Sequence, residues 1–195
     1  MQIIAHRRNT LAGLKATPPE YGVETDIRSS GSELVLHHDP FARGERFADW
    51  LTGFCHKTLV CNVKEEGLEE AVTELLRRRG IEDFFFLDQS FPFLVKSARQ
   101  GEKRCAVRVS EFESVDTALS LSGQVDWVWV DCFTRFPLDA EAAQRLCGAG
   151  FRLCLVSPEL QGRDARTEVP ILRSRLRSEG IAAAAVCTKN PELWR

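Results

Sequence analysis

The feature that most constrains this chain is a rhythm of short apolar runs separated by amphipathic segments. QIIA (2–5), GVETDI (22–27), TLVCNV (58–63), DFFFLD (83–88), RCAVRV (104–109), DWVWVD (126–131), FRLCLV (151–156) and IAAAAV (181–186) each have the length and apolar character of a buried strand. Between them, EEGLEEAVTELLRRRG (65–80) carries Leu68, Val72, Leu75 and Leu76 on one helical stripe, gathers arginines in its last turn and stops on Gly80. SFPFLVKSARQG (90–101) opens on a serine cap and ends on glycine. LDAEAAQRLCGAG (138–150) and the stretch 164–180 end likewise, with Pro170 expected to kink or restart the latter. ELVLHH (33–38) is an additional extended piece, joined to the second strand by the turn-rich SSGS (29–32).

Continuously apolar strands alternating with helices call for a parallel sheet covered on both faces. Eight such units predict an α/β fold, a (β/α)8 TIM barrel of parallel strands with outer helices. It is a lean one, since about 250 residues is usual. An open doubly wound sheet is the structural alternative. No linker, repeat or low-complexity stretch interrupts the pattern, so one domain over residues 1–195 is expected.

Composition removes several function classes. The formal net charge of −2 argues against nucleic-acid binding through a basic surface. No apolar run approaches the roughly 20 residues of a membrane span, and the N-terminus lacks the pattern of a signal peptide. The seven cysteines include no C-x-x-C pair. Cys61, Cys105, Cys132, Cys154 and Cys187 lie in or beside apolar runs, where a free thiol behaves as a small hydrophobe. Structural thiols imply a reducing compartment, and a cytoplasmic location is expected. The arginines at 163, 166, 173, 175 and 177 read as a solvated helix face, and Trp127 and Trp129 as core packing or the floor of a ligand pocket.

Catalytic groups of such a barrel gather at the carboxyl ends of its strands. There the chain places His6 and Arg7 after the first strand, Glu24 and Asp26 on the second, and His38 and Asp39 after the extension. Asn62 and Lys64 end the third strand, Arg108 the fifth and Asp131 the sixth. Glu24 and Asp26, two apart on a strand, share one face a few ångströms from each other. Two carboxylates at that range repel, and either a hard divalent cation such as Mg²⁺ or Ca²⁺ or a salt bridge to Arg7, Arg8 or Arg28 resolves the conflict. His6 and His38 flank the pair. Imidazoles can take and return a proton near neutral pH, as phosphodiester cleavage requires, and Arg7 can fork onto phosphate oxygens. His37 and His56 receive no role.

The segments IAHRRNTLAGL, GVETDIRSSGSELVLHHDP, LVCNVK, LDQSF and AVCTKNPE resemble, in order and spacing, the signature segments of the glycerophosphodiester phosphodiesterase family. The likeness is most specific over residues 3–40 and is one of pattern in the middle. It implies a TIM barrel and hydrolysis of a small phosphodiester in lipid metabolism. His6 and His38 would be the acid–base pair, Arg7 a phosphate ligand, and Lys64 a stabiliser of transition-state charge. Glu24 and Asp26 would hold a divalent cation.

Three departures accompany the resemblance. Arg7 passes through Arg8 directly to Asn9 and Thr10, without the family's glycine-containing loop and its glutamate. The family's third metal-binding carboxylate falls on Asn62, which offers only an amide oxygen; Asp88, Asp131 or Glu65 is the expected compensation. The segment after His38-Asp39 is short, implying a small lid. An alternative follows: a catalytically impaired barrel that binds a phosphorylated ligand or a protein partner. The sequence leaves oligomeric state open.

Overall fold

A computed structural model describes all residues, Met1 to Arg195. In chain order its elements are β1 (Gln2–Ala5), α1 (Leu11–Lys15), β2 (Gly22–Ser30), β3 (Glu33–Leu36), β4 (Glu45–Arg46), α2 (Phe47–Trp50), β5 (Leu59–Val63), α3 (Glu69–Arg78) and β6 (Phe84–Leu87). They continue with α4 (Phe91–Arg99), β7 (Ala106–Val109), α5 (Val115–Leu119), β8 (Trp127–Val130), α6 (Ala140–Gly148), β9 (Arg152–Val156), α7 (Ala165–Ser178) and β10 (Ala185–Thr188). The chain packs as two compact units, one of Ala5–Lys96 and one of Met1–Ile4 with Ser97–Arg195. The boundaries fall inside β1 and α4, not in a linker.

In the unit Ala5–Lys96, β2, β5 and β6 run parallel, with Asp26 opposite Asn62 and Asn62 opposite Leu87. Every residue of β5 and β6 is buried, as a strand covered on both faces must be. The second half of β2 leaves this pairing and forms an antiparallel hairpin with β3, Ile27 opposite Leu36 and Ser30 opposite Glu33. Gly31 closes the turn at φ 62°, a left-handed backbone suited to glycine. The hairpin carries the chain back so that the His37 N–H donates to the Asp26 carbonyl at 3.1 Å. Stacked Phe47 and Trp50 (5.9 Å between centroids) fill the core together with Leu14, Val72 and Leu76. The extension ELVLHH thus ends as a strand at Leu36, because His37 and His38 turn away to the site.

In the other unit, β7, β8, β9 and β10 are parallel in that order. The Gln2 N–H donates to the Ala184 carbonyl at 2.8 Å, setting the start of β1 beside the approach to β10. Trp127 and Trp129 are both buried, and the Arg152 guanidinium lies 3.9 Å from the Trp127 ring centroid.

Three sequence expectations need correction here. The last strand is Ala185–Thr188, not 181–186. A run of alanines has neither alternation nor β-branched side chains to set its bounds, and Ile181 instead packs at the end of α7, its N–H on the Leu176 carbonyl. Helix α7 continues through Pro170 without restarting. The arginine run is not simply a solvated helix face: Arg163, ahead of α7, pairs with Glu168, Arg173 donates to the Leu193 and Arg195 carbonyls, and Arg175 donates to Glu179 and to the Phe136 and Leu138 carbonyls. The short elements β4, α2 and α5 carried no sequence signal. All seven cysteines are free thiols, five of them buried. Burial pushes the Cys132 thiol up to about 12, which leaves it inert. No helix is long and apolar enough to cross a membrane.

Candidate active site

The abrupt passage from β1 into α1 is held by β2. Arg7 adopts φ 51°, and this left-handed turn delivers its N–H to Glu24 Oε2 at 2.7 Å. The next residue, Arg8, donates its N–H to the Glu24 carbonyl at 2.8 Å, and the Trp50 indole donates to the Arg8 carbonyl at 2.8 Å. Thr10 then caps α1 by accepting the Gly13 N–H. Direct backbone ties to the strand that carries the carboxylates thus hold this short connection.

Glu24 and Asp26 are both buried, on one face of β2 as their spacing predicts. Glu24 Oε1 accepts from Asn62 Nδ2 at 3.0 Å, and Oε2 lies 3.8 Å from His6 Nε2. Burial, and then the charge of Asp26, push the Glu24 carboxyl up to about 7, against the opposing pull of the Arg7 N–H, Lys64 and Asn62. Asp26 Oδ2 accepts from Asn9 Nδ2 at 2.7 Å and lies 3.6 Å from Arg7 Nε. Asp26 Oδ1 faces Lys64 Nζ at 3.2 Å, and the same ammonium reaches Asp88 Oδ2 at 3.2 Å. Asn9 also accepts from the Thr25 hydroxyl and the Asp26 N–H, each at 2.9 Å, locking its own amide and with it the Asp26 carboxylate. His6, Arg7, Glu24, Asp26, Asn62 and Lys64 thus form one mixed-charge cluster, with Glu24, Asp26 and Asn62 buried, His6 and Lys64 half-buried and Arg7 exposed.

His38 stands at the edge of this cluster. Its Nδ1 pairs with Asp39 Oδ1 at 2.8 Å, and this hydrogen bond holds the Asp39 carboxyl below its ordinary range. Arg28 donates twice to the His38 carbonyl, from Nε at 3.1 Å and Nη2 at 2.9 Å. A cavity of about 520 Å³ runs between His38 and Asn9, with Thr10, Asp39, Arg43 and Glu45 in its wall. His38 is therefore open to a ligand next to the residue that fixes Asp26. His37 is occupied with the Asp39 backbone, and buried His56 with the Thr17 carbonyl.

Of the expected compensations for Asn62, Glu65 is engaged by Ser29 and Arg28. Asp131 belongs to the other unit, where Arg108, Gln161 and the Cys132 N–H occupy its carboxylate. Asp88 is the one that touches the cluster, through Lys64. Sequence reasoning missed Asn9, read only as part of a helix start, and Arg28, offered as a salt-bridge partner for the carboxylates but acting on a backbone carbonyl.

The chain offers no group of three His, Cys, Asp or Glu side chains disposed around a metal ion. It does offer hard oxygens of the right kind. Asn62 Oδ1 is buried with no hydrogen-bond partner, on the amide whose Nδ2 donates to buried Glu24, and Asn62 stands opposite buried Asp26 across β2 and β5. An orphaned amide oxygen on a residue flanked by Glu24 and Asp26 fits a hard divalent cation that completes its shell with water and substrate oxygens.

No protein-family model matches the chain, and no curated protein matches it by sequence. Among solved structures it is similar to a glycerophosphodiester phosphodiesterase from Agrobacterium tumefaciens, with a TM-score of 0.67 and 14% identity over 100% of this chain and 97% of that one. It is also similar to a glycerophosphoryl diester phosphodiesterase from Parabacteroides distasonis, with a TM-score of 0.64 and 12% identity over 98% of this chain and 84% of that one. At this identity the likeness establishes the fold, the TIM barrel expected from the strand count.

Proposed function

We propose that the chain is a phosphoric diester hydrolase acting on a glycerophosphodiester or a similar small alkyl phosphodiester, with a divalent cation, Mg²⁺ or Ca²⁺, held by Glu24, Asp26 and the Asn62 amide oxygen. The observation that carries this reading is the convergence of His6, Arg7 and Lys64 on the buried carboxylates of Glu24 and Asp26, beside the cavity that exposes His38. A purely structural ion-pair network has no need of two imidazoles at its margin. The fold shared with two phosphodiester hydrolases supports the same reading.

Such a cation, when bound, neutralises phosphoryl oxygens and acidifies an oxygen it coordinates. The residues of the chain do the rest. Arg7, held near Asp26 by an ion pair yet 43% exposed, keeps its fork available for a non-bridging phosphoryl oxygen. Lys64 supplies a second positive charge against the developing oxyanion. One of His6 and His38 takes the proton from the attacking oxygen, a substrate hydroxyl or water, as its bond to phosphorus forms. The other gives a proton to the leaving alcohol as the P–O bond breaks. Asp39 orients His38 through Nδ1, leaving Nε2 for proton transfer.

The test is turnover of glycerophosphocholine and bis-para-nitrophenyl phosphate by purified protein, with and without Mg²⁺, Ca²⁺ or Mn²⁺. Metal-dependent release of the alcohol is expected. Absence of metal-dependent turnover across a broad diester panel overturns the reading. A second reading is favoured by Asn62, which leaves the cation with two anionic ligands: a barrel that binds a phosphorylated ligand without turning it over. Stabilisation by glycerol phosphate without hydrolysis of any diester supports that one instead.

A further inference from the structure

Lys64 faces two carboxylates at once. Its Nζ lies 3.2 Å from both Asp26 Oδ1 and Asp88 Oδ2, and only the contact with Asp88 has the geometry of a hydrogen bond. Asp88 follows directly on β6 and adopts φ 62°, a left-handed backbone uncommon outside glycine that aspartate and asparagine tolerate better than other residues. Its side chain is 25% exposed, against 1% for Asp26, so it is the wetter of the two seats for the ammonium.

This arrangement meets a conflict. An ammonium at Asp26 Oδ1 occupies an oxygen that a divalent cation held by Glu24 and Asp26 needs, and two cations repel strongly at contact range in a buried site. A carboxylate at position 62 would favour the divalent ion in that competition through its own charge. Asn62 contributes only an uncharged oxygen, so the third negative charge has to come from elsewhere. The one carboxylate in contact with the lysine from its far side is Asp88.

We propose that Lys64 has two seats and that Asp88 is the positioning residue that draws it off Asp26 when a divalent cation binds. The charge missing at Asn62 is then replaced by one that acts through the lysine. This rests on the reading of Glu24 and Asp26 as cation ligands. Asp88 touches neither cation nor substrate. It sets how strongly Lys64 competes for Asp26, and so tunes cation affinity.

Calorimetric titration of Mg²⁺ and Ca²⁺ into the purified full chain tests this, using Asp88→Asn, Lys64→Met and the double variant, each checked for folding by its circular dichroism and melting curve. Asparagine tolerates the left-handed backbone, so Asp88→Asn removes the charge with little backbone penalty. Asp88→Asn should weaken cation binding about five- to tenfold and Lys64→Met should tighten it. In the Lys64→Met background Asp88→Asn should change affinity less than about twofold, because there is no lysine left to draw away. An Asp88→Asn effect of the same size with and without Lys64 overturns the proposal, since it reports only attraction through space. So does weaker binding in Lys64→Met. Lys64→Gln serves in its place if the methionine variant does not fold. If neither wild type nor any folded lysine variant binds a divalent cation, the cation-site reading itself falls and this proposal with it.

Discussion

Glu24 is the residue whose surroundings make the sharpest demand on pH. Its carboxyl is raised from an ordinary value of 4.5 to about 7, first by burial and then by Asp26. A raised acid stabilises the fold while it stays protonated, so its contribution is complete below about pH 4.5 and is lost as pH rises through about 7. In cation-free buffer Glu24→Gln, which mimics the protonated acid, should gain on wild type between pH 5 and pH 8. The gain is on the order of 3 kcal/mol at most and is read from urea melts at the two pH values. A constant difference would mean that Glu24 does not titrate in this range. His38 makes the opposite prediction. Its ring is 40% exposed and pairs only with exposed Asp39, so His38→Ala should abolish diester turnover and cost less than about 1 kcal/mol of stability. Asn62→Glu should tighten cation binding in calorimetry, because it adds a full charge beside Glu24 and Asp26, and should lower cation-free stability by the same repulsion. The two-residue spacing of Glu24 and Asp26 was legible as a shared face, since strand geometry alone dictates it. The clamp on Asp26, Asn9, was not, and of the three carboxylates offered for Asn62 the sequence did not single out Asp88: both placements depend on loop conformations, one of them left-handed, that no local pattern announces.

At the scale of elements, legibility followed the strength of the periodic signal. Helix α3 lies inside its predicted span because Val72 and Leu76 repeat at helical spacing and both are buried. Leu76→Ala should cost about 2–5 kcal/mol in denaturant unfolding, the usual range for a large side chain removed from a closed core. The hairpin of β2 and β3 was readable from the turn residues around Gly31, but its consequence was not: it sets His37 and His38 beside Asp26. Pro170 was expected to kink or restart its helix, and the helix does not restart there. The proline is exposed near the start of α7 and forgoes a single hydrogen bond, to the Arg166 carbonyl, while buried Val169 and Leu172 hold the helix against the core. Pro170→Ala should therefore raise stability by about 1–3 kcal/mol, measured by thermal or urea melting, and a loss would show that the ring itself packs.

For the whole molecule, ligand linkage gives the broadest test. A cation that binds only the folded chain raises its melting temperature with concentration, by about 2.7 kcal/mol of stability at a hundredfold excess over Kd. Millimolar Ca²⁺ or Mg²⁺ should shift the wild-type melt upward and leave a Glu24→Ala, Asp26→Ala double variant unmoved. By itself the sequence determined the alternation of buried strands and helices, the barrel that alternation implies, and the gathering of histidines, Arg7 and two carboxylates at strand ends. These follow from hydrophobic periodicity and the fixed pitch of a strand, which are local properties. Only the tertiary structure decided that Arg7 turns its N–H onto Glu24, that Asn62 keeps an orphaned oxygen, and that Lys64 lies between Asp26 and Asp88. Those contacts join residues 17 to 38 positions apart, and the register between neighbouring strands, set by packing over the whole sheet, is what brings them together.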